Sequence, residues 1–225
     1  MPFALPILGL GVALAVIFRL DTVEVERQAD LGVYLRAALA GMKNRKVIGL
    51  YLISMMTFIV LYGAYMTFIP LHLAGRFQSS APAIGLIMSV GSLFTALTAS
   101  QLRVLNRLVA PERLVTIAFA LFAISFWAIP WMPGHWFIAL PVVLFGIAQG
   151  MNYPVVMSLL AGRASTEHRA IFMSVNGMVL RVGQTLGPLI MAGVAAVGGT
   201  DQVFYVAMGI CGTLFLALPW ILGGE

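Results

Sequence analysis

Charge is what this chain has least of. Only 9% of its residues are Asp, Glu, Lys or Arg, against about a quarter in soluble domains. Hydrophobic residues make up 61% and the mean hydropathy is +1.00. That balance excludes a soluble globular domain and predicts an all-α integral membrane protein. Cys211 is the single cysteine, so an internal disulfide is excluded. His72, His135 and His168 are scattered without metal-ligand spacing, which leaves no metal site to argue for. Acidic residues avoid the long apolar runs: Asp21, Glu24, Glu26, Asp30, Glu112, Glu167, Asp201 and Glu225 all lie outside them. A membrane-embedded enzyme needs paired carboxylates, a His cluster or a Ser/His arrangement at depth, and none is present. The net charge of +5 does not point to nucleic acid, because the basic residues sit in short loops between apolar runs, where their meaning is topological.

What the chain does have is apolar length. The first run, Pro2 to Phe18, is a short spanning candidate ended by Arg19. A signal peptide is the competing reading, with Ala13-Leu14-Ala15 resembling a cleavage site, but no basic residue precedes the apolar core. Leu20 to Lys46 is the one long polar segment, and within it Leu31, Tyr34, Leu35, Ala38, Leu39 and Met42 recur at helical spacing. That spacing predicts a surface helix capped by Asp30 and ending in basic residues, with a plain solvated linker as the alternative. Six runs follow: Val47 to Leu73, Ala81 to Leu102, Leu114 to Trp131, Trp136 to Ala161, Ala170 to Val197 and Val203 to Leu222. Each is long enough to cross a bilayer, giving about seven spans and a division into 1–19, 20–46 and 47–225. If residues 20–46 are cytoplasmic, eleven of the thirteen basic residues fall on that side, and Arg76 alone on the other. The positive-inside rule then places the C-terminus in the cytoplasm. Trp131, Trp136 and Trp220 fit an interfacial aromatic belt.

The run Ala170 to Val197 carries the strongest functional signal. Arg181 lies about eleven residues in, roughly 16 Å along a helix, near the middle of a hydrocarbon layer about 30 Å thick. A guanidinium there costs on the order of 2.5 to 3.5 kcal/mol facing lipid, so it should face a wet cavity or a counter-charge. Beyond it comes Gly183-x-x-x-Gly187-Pro188. Glycines four apart allow close helix approach and Pro188 frees a backbone carbonyl, which serves packing and gating equally well.

Helix faces propose a cavity wall. Ser54, Phe58, Tyr62, Tyr65, Phe68 and His72 follow spacings of three and four, giving an aromatic face with polar handles. Gln149, Asn152 and Tyr153 share a face, as do Ser174, Gly177, Arg181, Gln184 and Pro188. Buried amides and an arginine are functional candidates in a membrane, and interhelical hydrogen bonding is the alternative, above all for Asn152. Gly85, Ser89, Ser92 and Ala96 read as a tight packing stripe. Leu114 to Trp131 and Val203 to Leu222, nearly free of strong polar groups, read as lipid-facing support.

One apolar run, a long polar linker and six further runs joined by short loops: this layout resembles the second half of a major facilitator superfamily transporter, preceded by that family's sixth helix and central linker. The resemblance covers essentially the whole chain. Gly183-x-x-x-Gly187-Pro188 is similar to the glycine-rich antiporter motif of the family's drug exporters, although Met191 and Ala192 stand where that motif has a glycine pair. Arg103, Asn106, Arg107 and Arg113 lie where the family repeats a cytoplasmic loop motif, here without its glycine and aspartate, so that a plain basic anchor competes with a conformational latch. The resemblance implies half of a twelve-helix fold in the cytoplasmic membrane. It also implies alternating access about a site between two halves, with export of a drug-like or organic molecule driven by an ion gradient, of protons in this family, and no bound cofactor. Arg181, Gln184, Gln149, Asn152, Tyr153, Tyr62, Tyr65 and Phe58 would form the substrate surface, with Gly183, Gly187 and Pro188 gating. The partners implied are lipid, a small-molecule substrate and an N-terminal half on the same or another chain. A half without transport of its own, acting only with a partner chain, is the other reading of the same layout.

Overall fold

The computed structural model describes residues 44–164 and 168–222. The expectations for Pro2 to Phe18 and for the amphipathic segment lie outside the described residues, save for Asn44 to Lys46. There Asn44 caps the first span, its side chain accepting from the Lys46 amide at 3.0 Å.

Every described element is helical, as the apolar runs demand, because a backbone in hydrocarbon must satisfy its own hydrogen bonds. The first span combines α1 (Arg45–Phe58), a π-helical segment Ile59–Phe68 and α2 (Ile69–Phe77). Pro70 lacks an amide hydrogen and crowds the carbonyl four residues back, and it lies just beyond the widened stretch. Inside that stretch the Thr67 hydroxyl donates to the carbonyl of Tyr62, five residues earlier, at 2.7 Å. Gln78, in the left-handed region at φ 50°, ends the span. α3 (Ala81–Ser100) returns, the short α4 (Leu102–Leu108) follows, and α5 (Pro111–Ala128) and α6 (Ala139–Arg163) form the next two spans.

α7 (Arg169–Leu222) is 54 residues long, far more than one crossing needs. Gly199, at φ 78° and ψ 178°, breaks it into two limbs, a conformation glycine adopts without a side-chain penalty. The proximal limb runs alongside the first span: Phe172 accepts from the Tyr51 hydroxyl at 3.3 Å, and Gly183 and Gly187 lie against Met55 and Ile59. The distal limb runs back, with the Phe204 ring 5.2 Å from that of His72 and Ile221 against Gly49. Six crossings therefore occupy residues 45–222, the number the apolar runs predict.

Two glycine seams bring backbones together. A Cβ on Gly187 would lie 2.7 Å from the Ile59 carbonyl oxygen and 3.0 Å from the Gly63 nitrogen, and one on Gly183 would lie 2.7 Å from the Met55 oxygen. The second seam joins α3 to α6. A Cβ on Gly150 would lie 2.5 Å from the Thr95 oxygen, Gly146 abuts Gly91, and the Thr95 hydroxyl donates to the Gly146 carbonyl at 3.1 Å. This corrects the packing stripe assigned to α3. Gly85, Ser89, Ser92 and Ala96 are exposed, and the Ser89 hydroxyl bonds back to its own helix at Gly85. Ile87 and Gly91 face the bundle instead.

α5 and the distal limb are likewise more than lipid-facing support. Phe119, Phe122 and Phe126 of α5 are fully buried, as are Phe204, Ala207 and Cys211 of the distal limb. The rings of Phe122, Phe126 and Tyr65 all gather on Phe145 of α6. Only the opposite faces, with Ile117, Ile124, Trp127 and Leu216, are exposed.

Candidate functional site

The proximal limb of α7 presents two faces, and its glycines decide which one turns outward. Gly183, Gly187 and Met191 are buried against the first span, while Ser174, Arg181 and Thr185 are exposed and Gly177, Gln184 and Pro188 half-buried. Arg181 finds no carboxylate among the described residues. Its guanidinium donates to the Gln184 side-chain oxygen at 2.9 Å, so the pair forms a cationic, hydrogen-bonding patch on the outer side of the limb.

Across the glycine seam the first span supplies aromatics. Phe58, whose Cβ lies 3.0 Å from a Cβ built on Gly183, stacks on Tyr62 at 5.7 Å and meets Tyr153 of α6 at 5.9 Å. Tyr153 is 39% exposed, so this cluster has an open side. The neighbouring residues of α6 divide. Asn152 is 1% exposed and donates to the Thr57 hydroxyl at 2.9 Å, and Thr57 itself donates to the Ile53 carbonyl. The Asn152–Thr57 bond fastens α6 to the first span, the interhelical alternative for Asn152, while the Asn152 Oδ1 has no hydrogen-bond donor among the described residues. Gln149 instead lines a cavity of about 230 Å³ with Tyr65, Thr95, Phe145 and Gly91. Its buried side-chain oxygen has no hydrogen-bond donor among the described residues. Tyr65 lies in the same wall but is held, its ring stacked on Phe145 at 3.8 Å and 10° and its hydroxyl against Gly91.

The structure thus brings Phe58, Tyr62 and Tyr153 together, sets Arg181 and Gln184 on the adjacent limb, and places Gln149 and Tyr65 in a separate small cavity. Ser54, Phe68 and His72 continue the first span's face but are buried. The loop residues Arg103, Asn106 and Arg107 lie on α4, which buries none of its residues. Arg103, Arg107 and Arg113 make no ion pair among the described residues.

A cluster that helix faces did not announce closes the opposite end. His72 Nδ1 lies 3.4 Å and Arg76 3.6 Å from the carboxylate of Asp201, and Arg76 also donates to the Pro130 carbonyl at 2.9 Å. These residues tie the end of the first span to the turn between the two limbs. The signal was present, since Arg76 and Asp201 are charges at the ends of runs predicted to emerge on one side. Spacing along one helix cannot reveal a pair drawn from two.

Residues 47–225 match the family model described as Major Facilitator Superfamily. Curated relatives include the Multidrug resistance protein MdtG of Salmonella arizonae and those of Salmonella paratyphi B and Salmonella newport. Each is 26% identical over 180 residues, covering 79% of this chain and 45% of the relative. The chain therefore spans slightly less than half the length of these relatives. With the family model matching most of its length and six apolar crossings folded around two glycine seams, this multi-pass membrane protein belongs to the major facilitator superfamily of transporters.

Proposed function

We propose that this chain forms the C-terminal half of a secondary active exporter of drug-like organic molecules, working by alternating access and driven by a proton gradient. The observation that carries the reading is the aromatic cluster of Phe58, Tyr62 and Tyr153, open at Tyr153, on helices packed against the limb whose outer side carries the Arg181–Gln184 pair. Flat aromatic walls suit planar, amphiphilic ligands. An arginine held at this depth without a carboxylate favours either an anionic group of the ligand or a carboxylate of the opposing half that exchanges protons. The multidrug name of the 26% identical relatives supports export of such compounds. The glycine seam keeps the proximal limb and first span together as one rigid wall, so that opening and closing occur against the other half rather than within this one. Proton coupling, in this reading, belongs to a carboxylate of the other half, because the acids described here, Glu112 and Asp201, stand at the span ends. The basic residues at the span ends support a cytoplasmic C-terminus, and the layout suits a cell inner membrane.

The test is efflux of a fluorescent lipophilic dye from cells expressing this sequence within a full-length transporter. Energy-dependent efflux that collapses with Arg181→Ala supports the reading, and equal dye retention with and without the protein defeats it.

A second reading, a half that transports only with a partner chain, is equally compatible with a match to 45% of each relative. An immunoblot of the native source against the Glu225 end separates the two. A band near 24.2 kDa makes the chain a separate half, and coexpression with a separate N-terminal chain should then restore transport. A band about twice that size makes it part of one long transporter.

A further inference from the structure

The basic residues at the span ends are gathered unevenly. Lys46 opens α1, Arg113 lies in the first turn of α5 and Arg163 closes α6. All three line a single cavity of about 910 Å³ that also holds Glu112. Apart from Thr116, its remaining wall is apolar, with Ile117 of α5 and Leu218 and Leu222 of the distal limb. Among the described residues, none of these three cations lies within ion-pair distance of a carboxylate. Its described lining therefore carries a net surplus of two positive charges above an apolar floor.

The setting is interfacial. The cavity joins the ends of four crossings, where hydrocarbon gives way to headgroups. Ile117 opens outward from it, and Trp220, 81% exposed, stands on the distal limb between Leu218 and Leu222. An aromatic at that position marks the level at which amphipathic rings meet headgroups. A soluble anion could use the cationic rim but not the floor, and a neutral lipid the floor but not the rim. Basic pockets between transmembrane helices at this level recognise anionic headgroups.

We propose that this cavity binds one anionic phospholipid of the phosphatidylglycerol type. Its single phosphodiester lies among Lys46, Arg113 and Arg163, its first methylenes rest on Ile117, Leu218 and Leu222, and its headgroup hydroxyls donate to Glu112. The carboxylate disfavours a second phosphate, which selects a single phosphodiester.

Native mass spectrometry tests this on the chain released from micelles containing equal amounts of phosphatidylglycerol and phosphatidylcholine with matched acyl chains. One phosphatidylglycerol should be retained in preference to phosphatidylcholine. Each cation near a membrane surface contributes about fivefold in anionic-lipid affinity, so the double variant Arg113→Gln, Arg163→Gln should lose about 25-fold of the preference. Arg103→Gln with Arg107→Gln, outside the cavity, should keep it. Lys46→Gln alone, expected to lose about fivefold, carries the test if the double variant does not fold. Equal retention of the two lipids, or an unchanged preference in these cavity variants, overturns the proposal. So does displacement of the lipid by glycerol 3-phosphate at matching concentration, which would make the site one for soluble phosphates.

Discussion

Gly187→Ala adds one methyl group where the proximal limb of α7 crosses the π-helical part of the first span. The new Cβ would sit 2.7 Å from the Ile59 carbonyl oxygen, 3.0 Å from the Gly63 nitrogen and 3.1 Å from the Ile59 Cα, whereas ordinary contact begins at 3.4 Å. The helices must part by about 0.7 Å. All three obstructing atoms are backbone, so no rotamer change can make room. Overpacking of this kind costs about 1–3 kcal/mol. Alanine's higher helix propensity, about 1 kcal/mol in water, offsets little here, because a span stays helical in the membrane whether or not it is packed. Gly193, six residues along the same limb, has no atom within 4 Å of an added Cβ. Gly193→Ala therefore carries every consequence of the substitution except the clash.

Cys211 supplies the assay. It is the single cysteine and is buried on the distal limb, so a maleimide fluorophore should react only as the bundle opens. At about 2–4 °C per kcal/mol for a domain of this size, Gly187→Ala should melt about 2–12 °C below Gly193→Ala in the same detergent. Melting of the two variants within about 1 °C of each other would show that the seam is not packed as described, and with it would go the argument that the glycines fix which face of the limb turns outward.

Thr57→Ala should lower the melting temperature through a different mechanism, by leaving the buried amide of Asn152 without its partner, a loss of about 0.6–1.7 kcal/mol for an interhelical hydrogen bond. Thr57→Ser should restore it, and equal melting of the two variants would contradict the fastener role. Arg181→Ala removes an exposed side chain whose bond is to Gln184, so melting should not change, while dye efflux by the complete transporter should cease. Wild-type efflux in that variant would remove Arg181 from the mechanism. Asp201→Asn breaks two contacts of a half-exposed carboxylate and should cost less than about 1 kcal/mol. A loss of several kcal/mol on thermal melting would mean that the far-end cluster holds the turn at Gly199 in place.

The six described crossings were legible because a bilayer imposes a rule on whole segments. A chain that spans it must stay apolar for about 20 residues and keep its hydrogen bonds within the helix, and Val47 to Leu222 does so six times. The faces of those helices were less legible, and α3 shows why. Lipid tails are as apolar as a neighbouring helix, so hydrophobicity does not tell the packed side from the exposed one. Small residues occur on both: Gly85, Ser89, Ser92 and Ala96 face out while Gly91 faces in. A sharper signal stood in α6, where Gly146 and Gly150 repeat the four-residue glycine spacing of Gly183 and Gly187, and both pairs are seams. Asn152 and Tyr153 mark the limit of face counting. About 100° of helical rotation separates an amide bonded to Thr57 from a ring with an open side, and only the partner helices decide where that boundary falls.

The site and the packing of the proximal limb are one problem with one solution. Arg181 and Gly183 are two residues apart, so their side-chain directions differ by about 200° around the helix. Seating Gly183 and Gly187 on Met55 and Ile59 fixes the limb's rotation, and that rotation holds Arg181 and Gln184 away from the core. Turning the arginine inward would press backbone against backbone at neither glycine and would leave bulkier residues at the seam. A position that is costly in lipid is thereby kept available to whatever polar group faces this half. The same contact brings Phe58 against the inner side of the limb, so two missing methyl groups set both the seat of the aromatic helix and the outward direction of the cationic patch.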